Sequence, residues 1–137
     1  MASESFIAYA NELDLSAQEF CDVLNASTLS ERRPVNDLPR LDKMLRMANI
    51  VMTARDGKKL VGIARALTDF AYCCYLSDLA VDVAYQKQGI GKRLIEETHK
   101  SASSQTTLIL TSAPAAVNYY PKIGMSTLPC FAFLRSG

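Results

Sequence analysis

The sequence predicts an α/β domain in which helices lie on both faces of a mixed, largely antiparallel sheet. Three observations lead there. Helical periodicity in the first third of the chain gives two amphipathic helices. Apolar runs joined by an Asp-Gly turn give a meander of strands. A glycine turn then joins an apolar run to another helical pattern, which is the order of a strand–helix–strand unit. The chain has 137 residues, which suits one core and one domain spanning 1–137.

The elements follow in order. Phe6-Ile7-Ala8-Tyr9 offers a short first strand. Ser16 with Glu19 forms a capping box, and Ala17, Phe20, Cys21 and Leu24 place apolar groups on one helical face as far as about Asn25. A polar loop, Ser27 to Pro34, follows. Asp37 caps a second helix carrying Leu38, Leu41, Leu45 and Ala48 on one face. Ile50 to Ala54 reads as a strand, Asp56-Gly57 as a hairpin turn, and Leu60 to Leu67 as the return strand. Thr68 to Ala71 turns again, and Tyr72 to Val83 is the next strand. A helix runs from Gly89 to about Ser101, and Thr106 to Thr111 is a strand. Pro114 suits a helix start, with Ala115 to Lys122 following, and Phe131 to Leu134 is a final strand.

Composition narrows the function classes. Apolar residues make up 49% and charged residues 21%, as in a folded globular protein. No apolar stretch has the length of a membrane span, and Met1 to Ser5 carries no basic leader pattern, so a cytoplasmic protein without membrane association is expected. A net charge of +1 with no block of like charge gives no support for nucleic-acid binding. Cys21, Cys73, Cys74 and Cys130 contain no Cys-x-x-Cys pair and there is one histidine, so neither a metal site nor a disulfide framework is expected.

The most informative stretch is Gln86-Lys87-Gln88-Gly89-Ile90-Gly91-Lys92. A helix start exposes free backbone N–H groups and a partial positive charge. Two glycines allow an anion close approach, and Lys87, Lys92 and Arg93 add cationic charge. This is a phosphate or pyrophosphate cradle. A P-loop would need glycine at Gln86 and Ser or Thr at Arg93. A dinucleotide fingerprint would need a third glycine at Leu94. Both readings fail.

What fits is Gln/Arg-x-x-Gly-x-Gly/Ala, which resembles the GCN5-related N-acetyltransferases, the GNAT family. A second segment, Tyr119-Tyr120-Pro121-Lys122-Ile123-Gly124-Met125, resembles that family's Phe-Tyr-x-x-x-Gly-Phe signature, at a spacing that suits the family's order of elements. The resemblance covers roughly residues 50 to 135. It implies acetyl-CoA as cosubstrate, with no metal, and direct transfer of the acetyl group to a primary amine.

The resemblance also implies roles. Gln86, Lys87, Gln88, Gly89, Ile90, Gly91 and Lys92 would hold the pyrophosphate, largely through backbone amides. Leu79, Ala80 and Val81 would align the pantetheine arm along the strand edge, freed by splaying near Val83. Tyr120 would protonate the departing thiolate, with Tyr119 in the core. Where many members carry an Asn seven residues before this tyrosine, the chain has Ala113. The position of the family's strand glutamate is Tyr75, so the general base is open. Asp78 is the candidate carboxylate, on the opposite face from Tyr75 by strict alternation, and a backbone-bonding structural role is its alternative. Asp69 reads as a turn residue, His99 as a helix-end cation, and Arg32-Arg33 as a solvated loop pair or an anion site. Few residues follow Met125, so the acceptor side is expected to be open or completed by a second subunit, a two-fold homodimer being the base-rate assembly. A small-molecule amine is the leading acceptor. A protein or peptide amine, and a CoA-binding module without turnover, are the alternatives.

Overall fold

The structure, a computed structural model, describes residues 6–136. Five strands form one sheet in the order β1 (Ile7–Asn11), β2 (Ile50–Asp56), β3 (Lys59–Thr68), β4 (Cys73–Val81) and β5 (Thr107–Ile109). The first four pair antiparallel, β2 to β4 as a meander, and β5 joins β4 in parallel. A parallel neighbour requires a crossover, and α3 (Ile90–Ala102) supplies it.

α1 (Ala17–Ala26) and α2 (Leu38–Arg46) cover one face. Their starts are those the capping residues predict: Ser16 Oγ accepts from Glu19 N–H at 3.1 Å, and an Asp37 carboxylate oxygen accepts from Arg40 N–H at 3.1 Å. Phe20, Leu24, Leu41 and Leu45 are fully buried there against Val51, Ile63 and Ala80. α3 covers the other face, packing Ile90 and Leu94 over Ala54, Ala64, Ala66 and Leu76. Gly62 permits that approach. A Cβ on it would stand 3.0 Å from Leu94 Cδ1 and 3.3 Å from Ile90 Cγ2, closer than packed carbons tolerate. The β2–β3 hairpin turns at Asp56-Gly57, with Gly57 at a φ of +61°.

Two features of β4 decide the site. The pairing with β3 shifts register between Arg65↔Asp78 and Ala66↔Leu76, which leaves Ser77 as a bulge. The bulge reverses the alternation, so Tyr75, paired with Leu67, shares the α1/α2 face with Asp78, paired with Arg65. Strict alternation puts them on opposite faces. In addition, β4 and β5 pair only over Cys73↔Thr107, Cys74↔Leu108 and Tyr75↔Ile109. From Leu76 onward the strands part. The splay thus opens two residues beyond Cys74, well before Val83, which lies in a 3-10 turn (Val83–Tyr85) after β4 has ended.

The C-terminal quarter departs most from the sequence expectation. The anticipated helix from Ala115 to Lys122 is divided into a 3-10 turn (Pro114–Ala116) and a short α4 (Tyr119–Lys122). Pro121 is the reason: it has no N–H to give the Val117 carbonyl, and its ring would meet that carbonyl in a continuous helix. Phe131 to Leu134 form no strand and lie exposed. An alternating run becomes a strand only where an edge takes up its hydrogen bonds. β5, at three residues, offers little edge to pair with.

Candidate active site

The glycine turn has the geometry of an anion cradle. α3 begins at Ile90 with Gly89 as its N-cap, at φ +81° and ψ 6°, and no side chain caps the helix start. Its first N–H groups therefore point outward without a protein acceptor from a capping side chain. Lys87 is also left-handed, at φ +65°. Two positive-φ residues two apart fold the loop back so that the helix start faces the end of β4. The side chains of Lys87, Gln88 and Lys92 are exposed, while that of Ile90 is buried in the α3 core and can offer only its amide.

Gln86 acts differently from a ligand side chain. Its Nε2 donates to the Val81 carbonyl at 3.0 Å, tying the loop to the last residue of β4. Asp82 shapes the same corner. Its N–H donates to the Val61 carbonyl at 2.8 Å and its Oδ1 accepts from Ala84 N–H at 2.9 Å. Arg93 turns back toward α3, paired with Glu97 at 3.0 Å, and its guanidinium lies 4.9 Å from the centre of the Tyr9 ring.

Between this cradle and the Tyr75–Ile109 pair runs the free edge of β4, including Leu79, Ala80 and Val81. Ala80 is buried toward α1, whereas Leu79 and Val81 pack toward α3. The uncapped helix start thus adjoins the unpaired strand edge, with Gly91 beside Val81, and the two outline a groove. The observations fit an elongated ligand with an anionic end and an amide-bearing arm, which is the chemistry of acetyl-CoA. Gly91 leaves space at the turn: a Cβ there would be 3.8 Å from Tyr119 Oη and 3.9 Å from Val81 Cγ2, with nothing nearer.

Of the two tyrosines of α4, Tyr119 is not in the core, where the sequence places it. Tyr119 is exposed, with its hydroxyl near Gly91 at the groove. Tyr120 packs on the α3 core and meets Tyr119 edge to face, ring centres 5.3 Å apart at 77°. Burial, and to a lesser degree the neighbouring Tyr119, pushes the Tyr120 phenol above the usual value of 10, so it stays protonated at neutral pH.

In place of an open carboxylate at Asp78, the structure has a sealed one. Asp78 is 1% exposed. Its Oδ1 accepts from Arg33 Nε and its Oδ2 from Arg65 Nε. Arg33 also donates to the Ser77 carbonyl at 2.8 Å, and Arg65 to Ser77 Oγ at 3.0 Å and to the Met44 carbonyl at 3.2 Å. With both oxygens engaged by guanidinium groups, Asp78 is built to hold the bulge. Arg33, read as a solvated loop residue, is half of this clamp. The signal for Arg65 was its place amid an apolar strand, where an arginine needs a buried partner. Asp69 is the turn residue expected, its Oδ1 accepting from the N–H groups of Ala71, Tyr72 and Cys73 at 2.9, 2.8 and 3.1 Å. His99 Nε2 lies 2.7 Å from the Thr106 carbonyl and fixes the end of α3.

Comparison with known proteins agrees with this geometry. The family model for the acetyltransferase (GNAT) domain matches residues 17–128. The uncharacterized N-acetyltransferase ycf52 of Gracilaria tenuistipitata var. liui is 30% identical over 128 residues, covering 91% of this chain and 67% of that protein. GCN5-related N-acetyltransferase 2, chloroplastic, of Arabidopsis thaliana is 34% identical over 74 residues, or 53% of this chain, but that match spans only 29% of the plant protein. Among solved structures, the aminoglycoside N-acetyltransferase AAC(6')-Iy in complex with CoA has the same fold at 13% identity, with a TM-score of 0.75 over 99% of this chain and 98% of that one. The chain belongs to the GNAT family, and it is an acetyltransferase of the GNAT type. Among the described residues no helix is long and apolar enough to cross a membrane.

Proposed function

We propose that the chain moves an acetyl group from acetyl-CoA to the primary amine of a small molecule. The observation that carries this reading is the single groove running from the uncapped start of α3 along the free edge of β4 to the point where β4 and β5 part. The first-turn amides of α3, with Gly89 and Gly91 leaving room and Lys87 and Lys92 beside them, hold the pyrophosphate. The edge of Leu79, Ala80 and Val81 pairs with the pantetheine amides. The thioester carbonyl is then held near the Tyr75–Ile109 pair.

There the amine nitrogen bonds to the thioester carbon and the carbon–sulfur bond breaks. The sulfur leaves with the bonding pair and takes a proton from the Tyr120 phenol, which is replenished from solvent. Nitrogen gives up its proton to water. Tyr119, with its hydroxyl at Gly91, lines the cosubstrate end of the groove. The likeness to an aminoglycoside acetyltransferase supports a small-molecule amine as acceptor.

A second reading, a CoA-binding module without turnover, is favoured by one observation: neither Tyr75 nor the sealed Asp78 supplies a base. Calorimetry of acetyl-CoA against the wild type and Gly89→Trp tests the groove, and release of free thiol on adding amines tests turnover. Binding lost in the variant with thiol release in the wild type supports the enzyme. Binding without thiol release for any amine supports the module, and no binding by the wild type overturns both.

A further inference from the structure

We propose that the acceptor is an amine with an apolar or aromatic body and no anionic group, held in a cleft on the α1/α2 face directly beside the splay. The inference rests on the acetyltransferase reading and names its substrate class. The cleft has a volume of about 550 Å³, within the size range of small-molecule sites. Its inner wall is Leu67, Tyr75 and Ile109, which share one sheet face through the pairs Leu67↔Tyr75 and Tyr75↔Ile109. Tyr72 extends that wall outward. Because Tyr75↔Ile109 is the last pair before the strands part, the cleft ends where the acetyl carbon would lie.

The charges around the cleft are equally selective. Among the described residues that line it, Asp69 is the only ionised side chain, and none is lysine or arginine. Hydrogen bonds from the Ala71, Tyr72 and Cys73 amides hold the Asp69 carboxyl down at about 2, so it is anionic at any working pH. Those bonds fall on Oδ1, and the carboxylate is exposed, so it can still accept from an incoming ammonium. Asp69 bonds across the turn to Cys73, so it lies roughly 7 Å below Tyr75 along the strand. An acceptor with a carboxylate or phosphate would meet repulsion at that mouth.

The wall also answers the missing base. An ammonium drawn past Asp69 into an apolar wall loses hydration, and desolvation favours the neutral amine. The proton leaves through the open mouth to water. A polyhydroxylated amine would press hydroxyls against the Leu67 and Ile109 side chains, which cannot bond them.

The test is thiol release from acetyl-CoA with three probes, phenethylamine, sisomicin and a lysine-containing peptide, run beside acetyl-CoA calorimetry. The expected result is a kcat/KM for phenethylamine at least tenfold above the other two. Ile109→Ser and Leu67→Ser, both at exposed positions, should each raise the phenethylamine KM about tenfold, and Leu67→Ser, away from the thioester, should leave acetyl-CoA affinity unchanged. Asp69→Asn, which keeps the turn acceptor, should raise the KM severalfold and abolish its salt dependence. Preference for sisomicin or the peptide, or an unmoved KM in the wall variants, would overturn the cleft while leaving the acetyltransferase standing. A change of oligomeric state in Ile109→Ser with amine selectivity unmoved would give the patch to a second copy of the chain and also overturn the proposal. Failure of acetyl-CoA to bind would instead strike the acetyltransferase reading itself.

Discussion

Arg33 donates to the carbonyl of Ser77 at 2.8 Å, from the α1–α2 connection to the bulge residue of β4, which has no partner on β3. The same guanidinium holds Asp78, which Arg65 holds from the other side. A loop contact across 44 residues of sequence thereby keeps the bulge, and the bulge turns the free edge of β4 toward the groove.

Asp78→Ala should therefore destabilise the fold by about 3–5 kcal/mol, because two arginines lose a buried counter-charge. Thermal denaturation would read the loss. Arg33→Ala leaves the better-buried Arg65–Asp78 pair in place and should cost less. A Tm equal to wild type in Asp78→Ala would show that the clamp contributes nothing.

Gly89 should resist substitution. At φ +81° an L side chain is strained by roughly 1–2 kcal/mol even as alanine, although nothing lies within 4 Å of a Cβ there. Gly89→Ala is expected to lower Tm slightly and weaken acetyl-CoA measurably, whereas Gly89→Trp should abolish calorimetric binding by filling the space before the helix start.

Tyr120→Phe should lower kcat by about 100-fold or more with acetyl-CoA affinity unchanged, as expected for loss of a proton donor. Tyr119→Phe should show the opposite pattern, weaker acetyl-CoA binding with kcat little changed. Steady-state kinetics paired with calorimetry separates the two. Because burial raises the Tyr120 phenol, the alkaline fall in kcat should lie above pH 10.

Gly62→Val should destabilise the domain by about 1–3 kcal/mol through overpacking against Leu94 and Ile90. A Leu94→Ala background should relieve part of that cost. Additive losses in the double variant, read by urea denaturation, would contradict the contact.

The Asp69 turn carries a pH signature. Its carboxyl is lowered from 3.8 to about 2 in the fold, so the stability it contributes is complete above pH 3.8 and is lost as pH falls toward 2. NMR titration of the Asp69 carboxyl should place its midpoint well below that of an unstructured peptide. A midpoint at 3.8 would show that the three amide bonds do not form in solution.

Local signals carried most of the fold. Ser16 with Glu19, Asp37, Asp56-Gly57 and the glycine turn each mark an element boundary through chemistry within a few residues, and the structure has those boundaries. The Ser77 bulge was hidden because its cause is distant: Arg33 and Arg65 select it, and the local run of side chains reads equally well as unbroken alternation. The exposure of Tyr119 was hidden for the related reason that adjacent helix positions are sorted by what the helix packs against. Pro121 was visible, and its missing N–H divides the helix as backbone chemistry requires.

The three-residue seam between β4 and β5 has a consequence for the order of assembly. Strands β2 to β4 close through short connections and can associate early, while β1 is separated from β2 by α1 and α2, and β5 returns only after a whole helix has formed and then gains three pairs. β5 is also the one wall of the groove with least hold on the rest. Its amides should exchange with solvent well before those of β2 and β3, and a cosubstrate lying between the two parted strands would slow that exchange by bridging the seam.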